Sequence, residues 1–146
     1  MKKILSTLLI LSTTTLFAQE SLKVDPSAQA KADKQMKLQN RNVIKHVIDE
    51  YSNKLPQKVD EYTSFVNIKS EDLTLVYVFE INSGVKTDET IIKEDRDRMS
   101  KVVTYGICNS SKRFLESDIN IAYVYNSAAT KKQLFRFDVT KTDCPE

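Results

Sequence analysis

Apolar side chains recur along this chain first every three to four residues, then every second residue, and then both patterns repeat. A run of period 3.6 can bury one face only as a helix, and a run of period two only as a strand. Residues 31–55 carry Met36, Asn40, Val43, Ile44, Val47, Ile48, Tyr51 and Leu55 at helical spacing, and Pro56 stops the helix. His46 falls beside Asn42, Asp49 and Glu50 on the polar side of that stripe, where a solvated or ion-paired imidazole is expected. The pattern then alternates. "EYTSFVNI" (61–68) is β-branched and aromatic, "KSED" (69–72) reads as a turn, and "LTLVYVFEI" (73–81) places Leu73, Leu75, Tyr77, Phe79 and Ile81 on one face. Thr74, Val76, Val78 and Glu80 share the other.

Thr87 or Asp88 can cap a second helix, whose apolar stripe is Ile91, Met99, Val102, Val103, Gly106 and Ile107. The acidic residues of its first turn suit the helix dipole. "KEDRDR" (93–98) reads as a surface of ion pairs rather than as paired acid and base, because its carboxylates alternate with arginine. Gly106 and Asn109 are expected to loosen the helix near Cys108, and a short turn through "KRFLES" follows. "INIAYVY" (119–125) and "LFRFDV" (134–139) make a second hairpin, with Ile119, Ile121, Tyr123 and Tyr125 on one face and Phe135, Phe137 and Val139 on one face of the last strand.

The expected fold is therefore α+β: helix–hairpin–helix–hairpin, a four-stranded antiparallel sheet with both helices on one face. The second sheet face is unusual. Val76, Val78, Ala122, Val124 and Leu134 alternate onto it, where a solvated antiparallel sheet normally shows polar residues. Such a strip predicts a contact face (Val76, Val78, Val124, Leu134) for another envelope protein or for a second copy in a homodimer. Cover by lysine and threonine side chains, or by the N-terminal lead, is the other reading.

"MKKILSTLLILSTTTLFA" has two lysines, an apolar run and a small residue before Gln19, the layout of a secretory signal peptide cleaved after Ala18. Its apolar stretch is broken by Ser6, Ser12 and four threonines, too weak to span about 30 Å of hydrocarbon. The domain reading is a signal at 1–18, a polar lead at 19–30 and one α+β domain at 31–146, periplasmic or secreted, with no membrane span in the mature chain. Without Lys2 and Lys3 the basic and acidic residues balance, so no field draws in nucleic acid. The two glycines, Gly84 and Gly106, lack the companions of a phosphate-binding loop, and no cofactor is expected.

The chain has two cysteines, Cys108 and Cys144. In an exported protein such a pair reads first as a disulfide. A metal site lacks ligands, with one histidine and no Cys-x-x-Cys; a nucleophile or redox role would need His46 as base, from a different helix. A bridge would tie the end of the second helix to the chain leaving the last strand.

"KLPQKVDEYT", "LVYVF", a Cys, "KRFLESDINIAYVY" and a terminal "DC" resemble a family of small exported bacterial proteins of unassigned function. Its pattern is Leu-Pro-x-x-Val-Asp-x-x-Thr, a Cys, an Arg, Tyr-x-Tyr and a final Cys. The chain is also distantly similar to quorum-sensing-regulated virulence-factor domains. The matching positions are Pro56, Val59, Asp60, Thr63, Arg113, Tyr123, Tyr125 and the two cysteines, and the resemblance implies no activity.

Among them Asp60, Thr63, Arg113 and Tyr125, with Glu61 alongside, form a candidate polar site. Asp60 can hydrogen-bond Thr63 in a local turn. Arg113 can pair with Asp60 or Glu61, or hold an anion. Three functions follow: a non-catalytic protein-binding or accessory domain of the envelope, expected first; a small-molecule binder with a pocket lined by Tyr77, Tyr123 and Tyr125; and a hydrolase using scattered Asp, Glu, Ser and His46, for which no nucleophile–base–orienter set is visible.

Overall fold

Two hairpins are joined by one long helix, and the length of that helix sets the topology. The structure, a computed structural model, describes residues 25–145. The signal segment 1–18 and the start of the polar lead lie outside the described residues. The first helix, α1 (Pro26–Ser52), starts before the apolar stripe does, because Asp25 accepts from the Ser27 amide at its N-cap and Pro26 stands at the first helical position. A two-residue strand, β1 (Gln57–Lys58), follows, then the hairpin of β2 (Thr63–Glu71) and β3 (Thr74–Ile81). Next come α2 (Asp88–Ser110), the short α3 (Lys112–Glu116), and the hairpin of β4 (Asn120–Ser127) and β5 (Gln133–Val139).

The sheet has five strands in the order β1-β2-β3-β4-β5, and it is mixed, not the four antiparallel strands expected. β3 and β4 pair in parallel, from Thr74 opposite Asn120 to Ile81 opposite Ser127. The 23 residues of α2 measure about 34 Å, against about 26 Å for the eight residues of β3. The helix therefore carries the chain back past the start of β3, and β4 must run in the same direction as β3. Period-two alternation is the same for either direction, so the sequence pattern could not choose between them.

Lys69, Ser70 and Glu71, expected in a turn, extend β2 instead, and the turn contracts to Asp72–Leu73, with Asp72 at φ 52°. Asp is among the few residues that take this left-handed conformation readily. α2 also runs through Gly106 and Asn109 to Ser110 without a break. Thr87 caps it by accepting from the Thr90 amide, and Asp88 and Glu89 occupy its first turn.

Both helices pack on the same sheet face, α1 over β2 and α2 over β5 and β4. That face carries the main core: Ile44 from α1, Val103 and Ile107 from α2, and Leu75, Ile121, Phe135 and Val139 from the strands. The Asn40 amide donates to the Ser117 carbonyl at 2.6 Å and ties α1 to the turn after α3. The Cys108–Cys144 disulfide joins α2 to the segment after β5, with the Cα atoms 5.5 Å apart.

Candidate functional site

Because α1 lies over β2 and α2 over β4 and β5 of the same sheet face, the central strands are left partly uncovered, and a groove runs there along α2. Its floor is aromatic: Phe79 on β3 and Tyr123 and Tyr125 on β4. Parallel register places Phe79 directly opposite Tyr125, and their rings stack with centroids 5.1 Å apart. Tyr77 lies against Tyr123 at 5.3 Å and Phe65 against Tyr77 at 5.5 Å, continuing the aromatic surface toward Tyr51 of α1. One wall is α2, with Ile91, Met99 and Val102; the other is a lip formed by residues 59–63, between β1 and β2. The cavity measures about 930 Å³. Its rim is apolar and open: Val59, Tyr62 (61% exposed) and Val102 (63% exposed) all line it.

Asp60 builds the lip. One of its carboxylate oxygens accepts from the amides of Tyr62 at 2.8 Å and Thr63 at 2.7 Å, the local turn that the Asp60–Thr63 spacing implies. The Tyr62 amide bond holds the Asp60 carboxyl below the usual carboxylate range, so the lip carries a negative charge at neutral pH. The charges facing it on α2 and the turn before α2 are compensated locally: Arg98 pairs with Asp95 at 2.7 Å and Lys86 with Glu94 at 2.8 Å. These two pairs bear out the surface ion-pair reading of "KEDRDR".

The floor hydroxyls are differently placed. Burial raises the pKa of Tyr77, Tyr123 and Tyr125, so all three remain neutral donors. Among the described residues none of the three phenols has a hydrogen-bond partner, and no side-chain oxygen there is fully buried without one. The Tyr125 hydroxyl therefore reaches water through the groove, although the residue is only 9% exposed.

Of the four candidate polar residues, the structure brings Asp60, Thr63 and Tyr125 together at this groove. Arg113 is elsewhere, on α3, and pairs with neither Asp60 nor Glu61 among the described residues. His46 is exposed on α1, and no cluster of His, Cys, Asp and Glu able to hold a metal occurs among the described residues.

The apolar strip on the opposite sheet face exists, but it is not open. Val76, Ala122 and Val124 are 0%, 0% and 6% exposed, and with Val78 they form a second, smaller core. The register explains how. Arg136 on β5 lies on this face opposite Val124, Glu71 on β2 lies on it too, and the two meet at 2.9 Å. To do so they must reach over β3 and β4, so the ion pair straps the valines. Asp138 and Lys69 brace its two ends at 2.8 and 2.9 Å. Alkyl stems of such residues cover apolar surface while their heads stay wet. Leu134 is not on this face at all. A register shift opposite Tyr125–Asn126 leaves Leu134 unpaired and turns it into the main core. The groove falls where a pocket was expected: Tyr123 and Tyr125 line it, whereas Tyr77 only continues the aromatic surface beside Tyr123. Its lip of residues 59–63 gave no signal in the periodicity.

Residues 37–135 match the family described as "Domain of unknown function (DUF8479)". No curated protein matches the sequence. Solved structures do match in fold. A candidate secreted protein of Pseudomonas aeruginosa superposes with a TM-score of 0.66 at 12% identity, over 75% of this chain and 96% of that one. The pilotin of the type 2 secretion system of Vibrio vulnificus gives a TM-score of 0.58 at 14% identity, over 80% and 98%. The corresponding pilotin of Vibrio cholerae gives 0.56 at 15% identity, over 80% and 99%. At these identities the likeness is one of fold.

Proposed function

The chain belongs to the DUF8479 family, and on that premise we propose that it is a non-catalytic accessory protein of the bacterial envelope. It acts by holding a helix of another envelope protein in the groove between α2 and the lip of residues 59–63. The observation that carries this reading is the groove itself: an aromatic floor with an exposed apolar rim. The kind of polypeptide it takes follows from the sheet. β3 and β4 are each paired on both edges, so the floor offers no free backbone donors or acceptors. An extended peptide would desolvate its own amides and carbonyls there without replacement, at a cost of kcal/mol for each group. A helix satisfies its backbone internally and needs only an apolar face. The fold shared with secreted and secretion-system proteins, and the disulfide, support a periplasmic or secreted setting after cleavage near Ala18. The domain plan is a single folded unit behind its signal and lead.

A photo-crosslinking residue at Val102 tests this, in oxidised chain 19–146 irradiated with an envelope fraction. The expected result is a discrete adduct whose crosslinked peptide has helical periodicity. The same residue at Asp138, on the strapped face, should give none. Equal adducts from both positions, or none from Val102, would refute the reading. A small apolar ligand in the same groove, the second reading its volume permits, would instead appear in native mass spectra of the purified protein.

A further inference from the structure

Asp60 and Glu61 stand on the lip with no ion-pair partner among the described residues, whereas the charges on the facing wall are paired with one another. The groove's side-chain charge without a contact ion pair is thus negative and lies on the lip, with Lys58 acting on Asp60 only from beyond ion-pair distance. Below it, Tyr125 lines the groove, and its hydroxyl, which has no protein partner among the described residues, is not itself fully buried. A donor that the occupant covers and leaves unpaired would oppose binding, so the occupant must bring an acceptor to it or leave room for water. These two features sit on different elements and point to the same occupant.

We infer that the lip carboxylates of Asp60 and Glu61 and the floor hydroxyl of Tyr125 select the partner: an amphipathic helix with lysine or arginine along one flank of its apolar face and a polar acceptor near that face's centre. This rests on the helix-in-groove reading and specifies its partner. The basic flank meets the lip, and the apolar face lies on Phe79 and Tyr123. The acceptor takes the Tyr125 hydroxyl proton in a hydrogen bond. Anionic helices are disfavoured because the lip repels them and the arginine and lysine of the other wall are already engaged.

The test uses fluorescein-labelled 18-residue helical peptides with one shared leucine–alanine face and lysine, glutamine or glutamate on the flank. Binding to oxidised chain 19–146 is read by anisotropy at low salt. The lysine peptide should bind about three- to tenfold more tightly than the glutamine peptide, as two exposed ion pairs allow, and the glutamate peptide most weakly. The Asp60→Asn, Glu61→Gln double variant should bring the three within about twofold, as should raising salt toward 1 M. Asparagine keeps the oxygen that holds the lip turn, so the fold is preserved. Replacing the central leucine of the lysine peptide by glutamine should cost at least about threefold more in Tyr125→Phe than in wild type. Equal affinity for all three flanks, or a lysine preference that survives the double variant, overturns the charge selection but leaves the groove reading standing. An equal glutamine cost in Tyr125→Phe and wild type overturns the role of the hydroxyl. No binding by any peptide at 100 μM, or affinities untouched by Val102→Gln, overturns both readings.

Discussion

Replacing Cys108 and Cys144 together by serine should cost this domain a large part of its stability. The bridge spans a sequence separation of 36, enclosing α3 and the whole β4–β5 hairpin. Closing a loop of that size removes about 13 cal/mol/K from the unfolded chain, or about 3.8 kcal/mol at 25 °C. Domains of this size are stable by about 5–15 kcal/mol, so the loss is a quarter to three quarters of the total. For the roughly 120 described residues the unfolding entropy near the midpoint is about 0.25 kcal/mol/K, which converts the loss to a fall in Tm of about 15 °C. The native contacts around the bridge should survive, since Ile107 and Val139 on its two flanks are buried in the main core and serine is nearly the size of cysteine. Urea unfolding of the oxidised protein and the double serine variant, followed by circular dichroism, gives both midpoint and slope. The slope should rise in the variant, because the uncrosslinked chain exposes more surface when unfolded. A loss below about 1 kcal/mol with an unchanged slope would refute the loop-entropy argument.

Two further outcomes concern the strapped face. Bonds from Arg136, and then Lys69, hold the Glu71 carboxyl down to about 2 from its ordinary 4.5, so the stabilisation it contributes is complete above pH 4.5 and lost as pH falls toward 2. Thermal melts at pH 7 and pH 3 should therefore show a larger drop for wild type than for Glu71→Gln; equal drops would mean the strap contributes nothing. Val76→Lys, placed at a fully buried position beneath that strap, should destabilise by about 3 kcal/mol or more, because a charge there is neither solvated nor paired. A Val76→Lys variant with wild-type urea midpoint would show instead that the valine strip is open to solvent.

The faces of the strands were legible because alternation is a local property: Leu75, Tyr77 and Phe79 point to the helices and Val76 and Val78 away from them whatever the strands pair with. The caps of α2 and the Asp60 turn were legible for the same reason, each being decided within three or four residues. The disulfide needed only the compartment and the count of cysteines. Arg113 was misjoined to Asp60 because two residues that match one sequence pattern can still stand at different ends of a fold.

What the chain alone determined is thus its elements and the inward or outward aspect of each side chain, since both follow from backbone periodicity. The parallel pairing of β3 with β4, the displacement of Leu134 and the strap of Arg136 over the valines were decided by tertiary structure. So was the groove, because each depends on which distant segments meet. Strand direction turns on how far α2 carries the chain, and the groove's width on how far α2 stands from the lip of residues 59–63; neither distance is written in any local run of residues.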